Sequence, residues 1–187
     1  MTPTQKWLLF GSIFLLVLLA AFAYSFAKRR AKPLAAAPQI SFPAADKPTT
    51  EIEEFLSGDF AIVNRVELLP KPVRLAFTEA NGSRLTMADP GEKFQATDVV
   101  MNPQLPRRRL ILAGVSGEKT FVQYERGGIG PAKLLALFKS NTTGTLEPVW
   151  QGYCQSGAND LAELREQIKN GDCKWRPQYG KDAPSDK

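Results

Sequence analysis

The chain contains no histidine. That absence removes the side chain that titrates nearest neutral pH, the commonest general base and metal ligand, and with it every Ser-His-Asp or Cys-His arrangement. Cysteine is almost as scarce. Cys154 and Cys173 are the two in the sequence, too few for a four-ligand zinc cage and too far apart for a C-x-x-C redox pair. An excess of cations is also missing where a nucleic-acid reader would need one. The formal charge is +5, but basic and acidic residues are equal in number from Glu51 onward, and the surplus comes from Lys6, Lys28, Arg29, Arg30, Lys32 and Lys47, less Asp46. Nucleic acid is therefore not an expected partner. No internal repeat is present.

What the sequence does have is one long apolar run. Trp7 to Ala27 carries no charge, and at about 1.5 Å per helical residue it reaches roughly 30 Å, one hydrocarbon core. Trp7 and Tyr24 suit the two headgroup interfaces, and Lys28, Arg29, Arg30 and Lys32 form an abrupt basic collar beyond it. A cleavable leader is the rival reading, because Ala21-Phe22-Ala23 fits a small-residue cleavage pattern. Against it, the run continues to Ala27, and a basic cluster at a new N-terminus opposes export. The expectation is a short flank (1–6), a transmembrane signal-anchor helix (7–27), a basic stop with a Pro/Ala-rich linker (28–48), a folded domain (49–179) and a polar tail (180–187) too hydrophilic to be ordered.

Within the domain, Thr50-Glu51-Ile52-Glu53 matches a capping box opening a short helix, with Ile52, Phe55 and Leu56 on one face and Ser57-Gly58 at its end. Alternation then predicts short strands through Phe60, Ile62, Val66 and Leu68, through Val73, Leu75 and Phe77, and through Leu85 and Met87. Hairpins are expected for 108–115 with 119–126 across Ser116-Gly117, and for 133–139 with 145–153 across Ser140 to Gly144. Leu134 to Phe138 also fits one or two helical turns. Asp160, Glu163 and the stripe Leu161, Leu164 and Ile168 predict a helix ended by Asn170-Gly171. The fold class is thus mainly β, a small antiparallel sandwich or barrel-like domain with a helix at each end, and α+β is the alternative.

Few residues suggest chemistry. Gly114-Val115-Ser116-Gly117-Glu118 lacks the second glycine of a nucleophile elbow and reads as a turn. Arg107, Arg108 and Arg109 suit a phosphate or lipid-headgroup contact, or else a solvated charge run guarding a strand edge. Arg126, Gly127, Gly128, Gly130 and Lys133 offer backbone N–H groups and cations to an anion, without the ending of a P-loop; a structural bend is the plainer reading. Asp89, Glu92 and Asp98 lie close in sequence but around Pro90-Gly91, as turn residues do. Cys154 and Cys173 bracket the terminal helix, with Gly171 permitting the return and Trp150 and Trp175 nearby, so a disulfide is expected; two buried thiols are the alternative.

Topology signals conflict. The collar alone places the domain in the cytoplasm, whereas the expected disulfide and stalk-like spacer favour the outside. Asn81-Gly-Ser and Asn141-Thr-Thr are formal glycosylation sequons, relevant only in a eukaryotic secretory route. The expectation is a single-pass, extracytoplasmic, non-enzymatic binding or scaffolding module of the cell envelope, periplasmic in a bacterium. It would need no cofactor or metal, touch lipid through its anchor and bind a protein partner. The rivals are a carboxylate- or Ser/Lys-dependent envelope enzyme and a cytoplasm-facing adaptor whose collar engages anionic lipid.

Overall fold

The computed structural model describes residues 41–43, 46–78, 86–100, 102–141 and 144–175. The apolar run at 7–27, the basic collar, the sequon at Asn81, Leu85 and the tail at 180–187 lie outside these. Among the described residues no helix is long and apolar enough to cross a membrane.

Four antiparallel strands form a meander: β3 (Arg108–Ser116), β4 (Lys119–Arg126), β5 (Ala132–Ser140) and β6 (Leu146–Cys154). Along the outer side of β3, β1 (Ala61–Val63) pairs antiparallel with one end and β2 (Met87–Ala88) pairs parallel with the other. At the opposite edge β7 (Cys173–Lys174) pairs with the last residues of β6. Both expected hairpins are present. Gly117, at φ +55°, opens the β3–β4 turn, where glycine takes a positive φ without a Cβ clash. The 134–138 segment is strand, not helix.

Among the described residues all seven strands belong to one sheet, so the mainly β reading holds but the layers around it are helical. Helices α1 (Thr49–Leu56) and α3 (Leu161–Lys169) cover one face, burying Ile52, Phe55, Leu56, Leu164 and Ile168 against Phe121, Leu135, Leu137 and Trp150. The other face is covered by α2 (Lys71–Ala76) and a 3-10 turn (Val66–Leu68), through Val66, Val73 and Phe77 on Leu110, Val122, Tyr124 and Phe138, and Met87 of β2 joins the same cluster. This is the α+β arrangement, in place of a sandwich or barrel. A sheet with both faces covered loses the polar-out alternation, as the unbroken run Leu134 to Phe138, buried throughout, illustrates.

Two expected strands are helical. Val73, Leu75 and Phe77 fall in and after α2, whose first turn holds Pro72. Proline suits that place because its missing N–H has no intrahelical partner there. The buried pair is Val73 and Phe77, four apart, while Leu75 is 40% exposed, a helical and not a strand pattern. Val66 and Leu68 likewise sit in the 3-10 turn, the first buried and the second exposed. In β1 it is Val63 that faces the core and Ile62 that faces solvent.

The capping box at Thr50 does not form. Pro48 occupies the N-cap and its carbonyl accepts from Glu51 and Ile52 (3.0 and 3.4 Å), while the Glu51 carboxylate pairs with Lys47 at 2.9 Å. The packed body also reaches upstream of Thr49. Phe42 lies 5.4 Å from the Phe138 ring, and Asp46 Oδ1 accepts from the Trp150 indole N–H at 3.4 Å.

Helix α3 begins and ends as its sequence indicates. Asp160 Oδ1 accepts from Glu163 N at 2.8 Å, and Glu163 Oε2 returns to Asn159 N at 2.8 Å. Gly171, at φ +71°, closes it with paired bonds from Gly171 N to Ile168 O (3.0 Å) and from Asp172 N to Gln167 O (2.8 Å), which satisfy two terminal carbonyls and turn the chain back toward β6.

Candidate functional site

That reversal brings Cys173 into register opposite Cys154, and the two form a disulfide with an S–S distance of 2.04 Å. Trp150 shares the cluster around the bridge, and Trp175 packs on it. Gly152 lies between Trp150 and the bridge. A Cβ there would come within 2.1 Å of the indole, so the ring occupies space that only glycine leaves open.

The arginine run divides by strand alternation. Arg109 stands on the α1/α3 face, where Glu125, its direct cross-strand partner, accepts from its Nε at 2.9 Å and pairs with Nη2. Its guanidinium also lies 4.6 Å from the Phe94 ring centre. Arg108 stands on the opposite face, 5.7 Å from the Phe77 ring centre, with Nη1 bonded to Thr86 Oγ1. Its Nε is buried with no hydrogen-bond partner among the described residues. Directly across from Arg108 is Arg126, which donates to Tyr153 Oη at 2.8 Å. Burial lowers the Arg108 pKa from its ordinary value; Tyr124 opposes that shift and Arg126 adds to it. Burial likewise raises the pKa of Tyr124, against the pull of the two guanidinium groups and of the hydrogen bond from Gln151 Nε2 (2.6 Å). Arg107 is exposed.

The glycine segment after β4 is a stitched bend. Gly127 N donates to Arg107 O at 3.0 Å and Gly128 N to Ala96 O at 3.3 Å, so two of the N–H groups expected to face an anion are already taken. Thr97 bridges Gly128, and a Cβ on Gly127 would fall 1.8 Å from Gln95 O. Gln95, itself buried, donates its backbone N–H to Pro106 O at 2.8 Å and its side-chain amide to Val99 O. The 95–107 segment is thereby fastened to the β4–β5 connection. At the far side of that connection, Gly130, Lys133, Tyr153, Cys154 and Lys174 line a shallow cleft of about 460 Å³.

The carboxylates are occupied structurally. Asp89 Oδ1 accepts from Val66 N at 2.6 Å, anchoring the 3-10 turn, and Glu92 Oε2 accepts from Asp89 N at 3.3 Å; Asp98 is exposed. Among the described residues no group of three His, Cys, Asp or Glu side chains is placed to hold a metal ion. Ser116 ends β3 in the hairpin, as a turn residue. Asn141 Oδ1 accepts from Thr145 N at 2.8 Å, closing the β5–β6 turn.

Two polar arrangements escaped the sequence reading. Gln123, fully buried in the middle of β4, accepts from Ala158 N at 2.7 Å and donates to Ser156 O and Gln167 Oε1 at 3.3 Å each. Gln167 in turn donates to Ser156 Oγ at 3.0 Å. This network seats the 155–160 loop and α3 on the sheet, and its one signal was a lone amide inside an apolar strand. Arg165 bonds the carboxyl end of α1, and nothing in its spacing distinguished it from a solvated helix residue. No protein-family model matches the sequence, and no curated protein and no solved structure matches the chain.

Proposed function

We propose that the chain is a single-pass, membrane-anchored binding or scaffolding module of the cell envelope. Its domain lies outside the cytoplasm, periplasmic in a bacterium, and its partner is a protein. The observation that carries this reading is that three successive elements each leave a large apolar side chain in solvent: Ile62 on β1, Leu68 on the 3-10 turn and Leu75 on α2. A single exposed leucine is ordinary, but one on each of three consecutive elements suits an interaction surface. Among the described residues strand β1 pairs with β3 alone, so its far side there is an open sheet edge to which a partner strand can add. The disulfide supports an oxidising compartment, and the apolar run before a Pro/Ala-rich spacer supports an anchored, projecting domain.

Site-specific photocrosslinking in intact cells tests it. A photoreactive residue at Ile62 or Leu68 should capture one discrete protein species, and the same residue at the exposed Lys169 should not. Equal capture from all three positions, or none, would remove the docking role of this edge.

A further inference from the structure

A second exposed apolar group lies elsewhere. Where the 95–107 segment meets the β4–β5 connection, Ile129 is 99% exposed and Val99 and Val100 are 62% and 49% exposed. The hydrogen bonds of Gly127 and Gly128 and the Thr97–Gly128 bridge hold the two loops together, so the backbone displays these side chains in a fixed place.

The charge around them has one dominant sign. Arg107, exposed, passes its carbonyl to Gly127; Arg126 precedes that glycine, and Lys133 follows Pro131. Arg108 and Arg126 face each other across the strands, and neither has a carboxylate partner among the described residues. Asp98 is the acidic residue of the two loop segments; Glu125, opposite Lys133 in the sheet, is engaged by Arg109, and Asp172 shares the cleft beside Lys133. Like charges set opposite each other cost stability unless an anion lies between or beside them.

We propose that this end of the sheet contacts an anionic bilayer, with Val99, Val100 and Ile129 entering the interfacial zone while Arg107 and Lys133 meet lipid phosphates. A bilayer suits it better than a protein for two reasons. Protein hot spots are aromatic or arginine anchors ringed by well-packed neighbours, whereas Ile129 is an aliphatic knob between glycines, almost wholly in solvent. A fluid interface demands no shape complementarity, and it rewards an apolar tip with a cationic rim. The surface is separate from the β1 edge and does not depend on that edge's role.

The test uses the full chain carrying Ile129→Cys, labelled with an environment-sensitive NBD probe. The native cysteines are paired, so the introduced thiol is the reactive one. In vesicles of phosphatidylcholine with about one-third phosphatidylglycerol, the emission should shift to the blue, rise about twofold, and be quenched by nitroxide-bearing lipid. Arg107→Glu with Lys133→Glu should abolish the shift, and a probe on Lys169→Cys should show none. Position 129 behaving like position 169 in anionic vesicles would overturn the proposal. An equal shift without lipid would overturn it in favour of self-association of the chain, and an equal shift in pure phosphatidylcholine, which carries phosphate but no net charge, would overturn the requirement for anionic lipid. Flotation of the unlabelled chain with neutral vesicles reads the anchor independently, so failure of the anchor and failure of the tip are distinguishable.

Discussion

Arg165 holds the carbonyl oxygen of Leu56 in a fork, with Nε at 2.9 Å and Nη2 at 2.8 Å, and Nη2 reaches Gly58 O at 2.7 Å as well. One guanidinium on α3 thus satisfies carbonyls at and just beyond the end of α1, where the helix dipole favours positive charge. Lys119 adds a second cation there, 3.5 Å from Phe55 O and 5.4 Å from the Phe55 ring centre. Replacing Arg165 with Ala should lower stability by about 2 to 3 kcal/mol, since charge-assisted bonds are lost and their acceptors are left behind. Arg165→Lys should recover part of that, because a point charge cannot form the fork. Urea unfolding of the two variants measures both effects. A loss below about 0.5 kcal/mol for the alanine variant would show that the fork contributes little.

The buried glutamines predict a coupled loss. Gln123→Met leaves Ala158 N–H and Gln167 Oε1 without partners in the interior, which should cost about 2 to 4 kcal/mol. Adding Gln167→Met removes one of those stranded groups. The double variant should therefore lose less than the sum of the single ones, and a double-mutant cycle reads the difference. Strict additivity would mean that the two amides act independently.

Redox state and topology can be read together. Cys154→Ser should lower stability by about 2 to 5 kcal/mol. In intact cells, a membrane-impermeant maleimide should label both thiols only after reduction. Labelling that needs permeabilisation but no reductant would place the domain in the cytoplasm with its thiols free.

Tyr124 sets an alkaline limit. Its pKa is raised by burial, so the folded state resists its ionisation and binds a proton that the unfolded chain releases near pH 10. The associated stability is complete below that pH and declines as pH rises through the folded value. Absorbance titration at the phenolate band should show one of the four tyrosines ionising only with unfolding. Tyr124→Phe should flatten the alkaline fall in stability at the expense of the Gln151 partner. Ionisation of all four before unfolding would contradict it.

The hairpins were legible because local chemistry determines them: Gly117 and Gly144, both at positive φ, lie in the turns that the alternating segments imply. Helix α3 was legible from Asp160 and Gly171 for the same reason. Helix α2 was not, since Val73, Leu75 and Phe77 satisfy a strand alternation, and the choice between the two periods is made by which neighbours cover them. The sheet's second cover is non-local in the same sense. An apolar strand buried on both faces carries no mark of whether sheet or helix lies above it. At the loop end, the arginines and glycines were visible from sequence, but Val99, Val100 and Ile129 became a group only when the Thr97–Gly128 bridge joined two distant loops.

The clasp between Leu56 and Arg165 spans 109 positions, whereas each meander hairpin closes over a short turn. Loops of such different length form at different times, so the meander can assemble while α1 still lacks its neighbour. During synthesis α1 emerges first, and the α3 part of the cover over Ile52, Phe55 and Leu56 is complete only after residue 169 has followed. For that interval the nascent chain carries an unsheltered amphipathic helix, and it is over this interval that a holding chaperone has something to grip.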